Sequence, residues 1–354
     1  MSTRILIVDD SAFMRRVIKD ILMQDKDLEV IGHARNGKDA LEKLADLKPD
    51  VITLDVEMPI MDGIETLKQI INLYPNIPVV MLSGLTKLGA DMTMKALEIG
   101  AVDFIEKPKS IFNMDADDKK EEIIQKVKVA SKVKLNVQKK IVKILNTPKK
   151  HIKLDGNYNQ NSTVSNLVSI GTSTGGPRAL QSIIPNIPQD INASIVVVQH
   201  MPREFTKSLA DRLNSMSQIN VKEAEDGEIL KKGYCYIAPG DYHMTVIEKS
   251  GGKLHIKLNH EEKVSGHRPS VDVMMDSVSK ISGYKKLGII LTGMGGDGAK
   301  GIKKIRENKG FTIAQDEESC VVFGMPKVAI NKGAIDKVLP LDKIVYEIIT
   351  NVEV

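Results

Sequence analysis

Short apolar runs separated by amphipathic stretches set the rhythm of this chain. In its first third, Ile5 to Val8, Leu28 to Ile31, Val51 to Leu54, Val79 to Leu82 and Val102 to Ile105 are rich in Val, Ile and Leu. Runs of that length and branching predict strands buried on both faces. The intervals between them carry apolar residues at helical spacing, so strand and helix take turns. Such alternation requires right-handed crossovers and therefore an open parallel sheet covered on both faces by helices. A second alternating series, with runs at Leu167 to Ile170, Ala193 to Val198, Cys235 to Ala238, Leu287 to Leu291 and Thr312 to Ala314, predicts a second α/β domain.

Between the two series the pattern changes. Lys119 to Leu145 keeps helical periodicity but is rich in Lys, Val, Ile and Gln, whereas His151 to Ser165 is rich in Asn, Ser and Gly and poor in apolar residues. This predicts a helix followed by a flexible tether. The expected division is a first domain over 1–120, a linker over 121–162 and a second domain over 163–354. A length of 354 residues suits two ordinary cores with a connector.

Charge sharpens that division. The chain carries +4 formally, yet Lys119 to Lys153 holds twelve lysines against Glu121 and Glu122, so the basic character sits in the connector and the remainder is net acidic. No aromatic residues interleave with those lysines and no DNA-reading motif accompanies them, so a solvated helix is expected and nucleic acid is not. No apolar run reaches the roughly 18 residues of a membrane span, and the N-terminus lacks a signal-peptide pattern, which points to the cytoplasm without membrane insertion. Cys235 and Cys320 have neither CxxC spacing nor metal-ligand company and are expected in the core.

Three carboxylates of the first domain stand at strand ends: Asp9 and Asp10 after the first strand and Asp55 after the third. In an open α/β sheet these ends converge. Clustered carboxylates repel unless a cation neutralises them, and oxygen ligands with waters suit Mg²⁺. Asp55, alone at its strand end and followed by Glu57-Met58-Pro59, is the candidate phosphoryl acceptor, with Asp9 and Asp10 holding the metal. Two further strand ends supply Ser83 and Lys107 for the phosphoryl oxygens, and Pro108 is expected in the cis form, turning the ammonium inward. Helix capping accounts for one member of Asp9-Asp10-Ser11 but not for Asp55, Ser83 and Lys107 together.

In the second domain, the strand Leu167 to Ile170 runs into Gly171-Thr172-Ser173-Thr174-Gly175-Gly176-Pro177, which satisfies G-x-S-x-G ahead of a helix. Glycines permit the tight turn that lifts a serine above a sheet, and the following helix start aims N–H groups at a developing anion. The next strand delivers His200 at its carboxyl end, which favours it as base over the loop histidines His243 and His267. The strand Leu287 to Leu291 leads into Thr292-Gly293-Met294-Gly295-Gly296-Asp297-Gly298, making Asp297 the orienting acid. Gly293, Gly295 and Gly298 also spell G-x-G-x-x-G, with Asp316 beyond. A dinucleotide site there is disfavoured, because Asp297 would set a carboxylate against a pyrophosphate and too few residues follow to complete such a fold.

The first 108 positions, through Asp9, Asp10, Asp55, Ser83 and Lys107, resemble the receiver domain of two-component response regulators. Phe104 stands near that family's aromatic switch position without a hydroxyl. The stretches GTSTGGP, VVVQHMP, APGDYH, HRPSVDVMM, LTGMGGDG and AQDEESCVVFGMP resemble the catalytic domain of chemotaxis protein-glutamate methylesterases, so the likeness spans the chain. It implies two doubly wound parallel-sheet domains, a flavodoxin-like receiver and a Rossmann-like serine hydrolase, joined by a basic helical linker. It further implies that Asp55 accepts its phosphoryl group from a chemotaxis histidine kinase, with Mg²⁺ in the receiver and no cofactor for the esterase. Ser173 would be nucleophile, His200 base and Asp297 its partner, with backbone N–H groups of Met294 and Thr174 at the oxyanion. The substrates would be methyl-accepting chemoreceptors, whose glutamate methyl esters are hydrolysed to release methanol, with glutamine deamidation as a second activity. Arg178, Arg203 and Arg268 are candidates for meeting acidic receptor helices. The receiver is expected to block the serine site until phosphorylation shifts that packing.

Overall fold

In the computed structural model of the chain, which describes residues 2–108, 117–133, 164–249 and 251–353, the apolar runs are strands of two sheets. The chain divides into two units, Met1–Val142 and Lys143–Val354. In the first, β1 (Thr3–Val8), β2 (Leu28–Ala34), β3 (Val51–Asp55), β4 (Val79–Ser83) and β5 (Asp103–Glu106) form a sheet of order β2-β1-β3-β4-β5. Every neighbouring pair is parallel. The crossovers are α1 (Ala12–Leu22), α2 (Gly37–Leu47), α3 (Gly63–Leu73) and α4 (Lys87–Ile99), with α5 (Asp117–Ser131) after β5.

Helix starts in this unit are written locally. Ser11, Asn36, Asp62 and Thr86 each accept a hydrogen bond through the side chain from the N–H three residues on, so each strand end passes directly into a capped helix. Strand order reverses between β1 and β3, which opens a crevice at their carboxyl ends. Helix α5 buries Ile123, Ile124, Val127 and Ala130 and packs on α1 and on β3, β4 and β5. The boundary expected at Lys120 therefore falls inside a helix of the first unit, because an apolar stripe hidden among lysines needs the sheet to cover it. The rest of the expected linker, residues 134–162, lies outside the described residues.

The second unit runs β6 (Asn166–Thr172), α6 (Gly176–Ile183), β7 (Ala193–Gln199), α7 (Arg203–Met216), β8 (Asn220–Glu223), β9 (Tyr234–Ile237), β10 (His243–Lys249), β11 (Lys253–Asn259), α8 (Val271–Ser279), β12 (Lys285–Ile290), α9 (Ala299–Glu307), β13 (Phe311–Gln315), α10 (Met325–Asn331), β14 (Lys337–Leu339) and α11 (Leu341–Glu353). Its main sheet has order β14-β13-β12-β6-β7-β9-β8, again with parallel neighbours. The chain starts in the middle at β6, builds outward through β7, and returns to build the other half from β12. The carboxyl ends of β12, β6 and β7 thus lie side by side.

Four strands were not expected from the sequence. β8 and β14 are short, part-exposed sheet edges, which need no apolar run. β10 and β11 form an antiparallel hairpin with one buried face, and their signal is alternation rather than a continuous apolar block. Met244, Val246, Leu254 and Ile256 of the hairpin share a core with Val271, Met274, Met275 and Val278 of α8. That contact fixes the start of α8, which proves central to the site.

Candidate active site and phosphoacceptor site

Ser173 follows β6 directly and its backbone is held from two sides. Its N–H donates to Thr292 O at 3.1 Å and its carbonyl accepts from Gly176 N at 2.8 Å and from Gln199 Nε2 at 3.0 Å. A threonine lattice ties the adjoining loops together: Thr172 Oγ1 donates to Thr292 O at 2.8 Å, and Thr292 Oγ1 to Thr174 O at 3.0 Å. Gly175 has φ +77°, and a Cβ there would meet Val321 at 2.6 Å, so the turn admits no other residue easily. At Gly293 a Cβ would stand 2.9 Å from the Ser173 Cβ. That glycine of the apparent dinucleotide motif serves instead to let two loops touch.

His200 follows β7, where register Thr172↔Gln199 sets it beside Ser173, and its N–H donates to Thr172 O at 3.2 Å. Its Nε2 lies 2.8 Å from Asp297 Oδ2, and its Nδ1 is buried without a hydrogen-bond partner. Among the described residues no hydrogen bond joins the Ser173 hydroxyl to the ring. With Nε2 on Asp297, Nδ1 is the ring nitrogen that no side chain or backbone group among the described residues engages.

Asp297 is more elaborately held than the sequence suggested. Oδ1 accepts from Ser270 Oγ at 2.8 Å, from Asp272 N at 3.0 Å and from Gly298 N at 3.0 Å, while Oδ2 accepts from Val271 N at 2.7 Å. The carboxylate thus sits at the N-terminus of α8, where the helix favours an anion. Burial alone would push this carboxyl up, but the hydrogen bond and charge of His200 and the N–H groups of Asp272 and Val271 outweigh it and hold the group at about 2. Asp272 returns the arrangement by accepting from Lys300 N at 3.0 Å and Gly301 N at 2.7 Å of α9. The two helices therefore brace the acid reciprocally.

No hydrogen bond engages the Met294 backbone N–H among the described residues. Thr174 is buried, with its carbonyl taken by Thr292. His243 is fully buried between Glu262 O at 2.9 Å and Ser270 N at 3.2 Å, so it supports the loop that carries Ser270. Asp316 accepts from the Ser319 N–H and hydroxyl, within its own turn. The sequence reading missed Ser270, although Ser-Val-Asp ahead of Val273-Met274-Met275 is a helix-start signature that marks it.

The expected surface role of Arg178 is corrected: it is 1% exposed, because α6 lies buried along its whole length, polar residues included. Arg268 is tied to Asp241 at 2.7 Å, and Arg203 is exposed. Burial pushes both cysteine thiols, Cys235 and Cys320, well up from their ordinary value.

At the carboxyl ends of β1, β3, β4 and β5, Asp10, Asp55, Ser83 and Lys107 line one cleft of ≈ 520 Å³. Lys107 Nζ lies 2.9 Å from Asp9 Oδ2 and 2.7 Å from Asp55 Oδ2. These are ion pairs without hydrogen-bond alignment, and both carboxylate oxygens are buried without a hydrogen-bond partner. Burial pushes the Asp55 carboxyl up to about 6; the adjacent Lys107 ammonium works against it, while the charge of Asp9 adds to it. Ligand oxygens of Asp9, Asp10 and Asp55 lie within 4.8 Å of one another. Orphaned oxygens on a cluster of hard ligands suit a divalent cation such as Mg²⁺. Ser83 Oγ donates to Gly89 O at 3.1 Å, toward the start of α4. Of the Asp9-Asp10-Ser11 run, Ser11 is the helix cap. Phe104 is buried, with Lys126 Nζ 5.1 Å from its ring centre. The Lys107-Pro108 bond is not cis; among the described residues Arg268-Pro269 is the only cis peptide bond.

Residues 168–348 match the family described as CheB methylesterase, and residues 5–116 match the response regulator receiver domain. A protein-glutamate methylesterase/protein-glutamine glutaminase of Pyrococcus horikoshii is 47% identical over 353 residues, covering 99% of this chain and 94% of that protein. A Bacillus subtilis protein of the same name is 47% identical, covering 98% of this chain and 97% of its own. Among solved structures, the Thermotoga maritima CheB methylesterase catalytic domain is 51% identical, with a TM-score of 0.51, covering 52% of this chain and 98% of that one.

Proposed function

This chain belongs to the protein-glutamate methylesterase/protein-glutamine glutaminase family, with a response regulator receiver domain ahead of the esterase domain, and from that premise we propose that Ser173, His200 and Asp297 carry out the hydrolysis. One observation carries the assignment: the His200–Asp297 pair stands at strand ends flanking the strand that presents Ser173. Ser173 Oγ attacks the γ-carbonyl of a methylated glutamate while His200 Nδ1 takes its proton. The tetrahedral oxyanion is met by the Met294 and Thr174 N–H groups, and the C–O bond to methoxide breaks as Nδ1 returns the proton, releasing methanol. Water, deprotonated by Nδ1, then cleaves the acyl-serine to give glutamate and restore the hydroxyl. With a glutamine side chain, ammonia leaves in place of methanol. Asp297, held ionised, fixes the tautomer that leaves Nδ1 unprotonated.

For control, Asp55 accepts a phosphoryl group from a histidine kinase; Asp9, Asp10 and Asp55 are the residues that would hold Mg²⁺, and Lys107 and Ser83 would contact the phosphoryl oxygens. When bound, the cation neutralises charge on the acceptor and the arriving phosphoryl group. Phosphorylation then raises the reactivity of the serine site toward methyl-accepting chemoreceptors. No described helix is long and apolar enough to cross a membrane, in keeping with action on receptors from the cytoplasm.

A fluorophosphonate probe tests both halves. Peptide mapping should find the label on Ser173, and labelling should quicken several-fold when an acyl phosphate and Mg²⁺ are supplied. Asp55→Asn should keep the basal labelling rate and lose the response. Label on another residue rejects the nucleophile; a full response in Asp55→Asn rejects the acceptor.

A further inference from the structure

His200 is held at its edge by Asp297, and one hydrogen bond leaves an imidazole able to pivot about it. The flat face of the ring has a second partner: His267 stacks on it with ring centroids 3.8 Å apart and planes 14° from parallel. Together these contacts leave the His200 side chain 6% exposed.

His267 is itself anchored as few loop residues are. Val264 and His267 exchange both backbone hydrogen bonds, at 3.1 and 3.0 Å, across a two-residue turn in which Ser265 has φ 54° and Gly266 φ 80°. That is the geometry of a tight hairpin turn with both central residues left-handed. The next residue, Arg268, is pinned by Asp241 and by the carbonyls of His260 and Glu261 at 3.1 and 3.0 Å. Two residues later Ser270 reaches Asp297. One strap, residues 264–272, therefore carries both the ring stacked on the base and the donors that hold the acid.

We propose that His267 is a positioning residue for the hydrolysis, fixing the plane of the His200 imidazole so that Nδ1 stays aimed for proton transfer while Nε2 remains on Asp297. The inference rests on the assignment of His200 as base. A ring free to tilt loses aligned geometry, and misplacement by about 1 Å costs on the order of 100-fold in rate. The operative property is the flat face, so an aromatic ring without nitrogen should serve nearly as well.

The test measures methanol release by the full-length protein from methylated chemoreceptor membranes, with Ser173→Ala run beside the His267 variants. His267→Ala should lower kcat by about 10- to 100-fold and leave KM within about two-fold, while His267→Phe should stay within a few-fold of wild type in both. Should the alanine variant melt early, His267→Leu, which fills the space without a flat face, takes its place with the same expectation. Wild-type kcat in the alanine or leucine variant overturns the inference. So does an equal loss in the phenylalanine variant, or a loss confined to KM, which would mark a substrate contact. Activity surviving Ser173→Ala sinks the underlying reading, whereas a dead Ser173→Ala beside an unaffected His267→Ala sinks this inference alone.

Discussion

Replacing Ser173 by alanine should lower methanol release from methylated receptors by about 10⁶-fold, the order of loss seen when a serine hydrolase loses its nucleophile. The structure gives little reason for the variant to misfold. Ser173 is braced through its backbone N–H and carbonyl, and its hydroxyl makes no hydrogen bond that the fold would miss among the described residues. Melting temperature should therefore move by only a degree or two, while kcat collapses and fluorophosphonate labelling disappears. Receptor methanol release within ten-fold of wild type would remove Ser173 from the chemistry. A large fall in melting temperature would show instead that the hydroxyl supports the turn.

Asp297→Asn should behave differently, losing both rate and stability. On rate, an amide in place of the carboxylate no longer fixes the His200 tautomer, and a drop of about 10⁴-fold in kcat is expected. On stability, the carboxylate accepts from Ser270, Val271, Asp272 and Gly298. An asparagine offers one oxygen to those donors and turns an NH₂ group on the others. Loss of the charge at the α8 N-terminus adds to that cost, for a total of about 2 to 4 kcal/mol.

The pH dependence of that loss has a definite sign. The folded carboxyl is held at about 2, below the 3.8 of the free group. The stabilisation from that depression is complete above about pH 4 and is lost as pH falls toward 2, and it amounts to about 2 kcal/mol. Scanning calorimetry of wild type and Asp297→Asn at pH 7, 4 and 2.5 should find the gap in melting temperature of the catalytic unit constant between the first two and narrower at the last. A gap that stays constant to pH 2.5 would mean that the ionised carboxylate contributes nothing beyond its shape.

Much of this architecture is legible in the sequence. A parallel strand buried on both faces has to be apolar at consecutive positions, so Ile5 to Val8 or Ala193 to Val198 announce themselves. Edge strands β8 and β14 carry no such requirement and leave no such signal, and neither does the hairpin β10–β11, whose single buried face needs only alternate apolar residues. Helix α5 shows the opposite failure: Ile123, Ile124, Val127 and Ala130 are a core stripe, but the surrounding lysines gave the segment the look of a solvated connector. Arginine is seldom buried, so Arg178 reads as a surface charge, and only the packing of α6 reveals that it is buried.

At the site itself, the sequence determined which residues stand at the rim, because G-x-S-x-G, His200 and the Gly-rich loop with Asp297 each follow an unmistakable strand. Where those strands lie relative to one another is a property of topology: β12, β6 and β7 become neighbours through the return of the chain, and no local pattern encodes that order. The tertiary structure alone decided that Nε2 of His200 faces Asp297 and leaves Nδ1 unengaged. It alone set Ser270 and the start of α8 against Asp297, and His267 flat on the His200 ring. A strand is specified by its own residues and their exposure to water. The orientation of a ring is specified by whatever packs against its edges and faces, and here those groups come from a strap some seventy residues further along the chain.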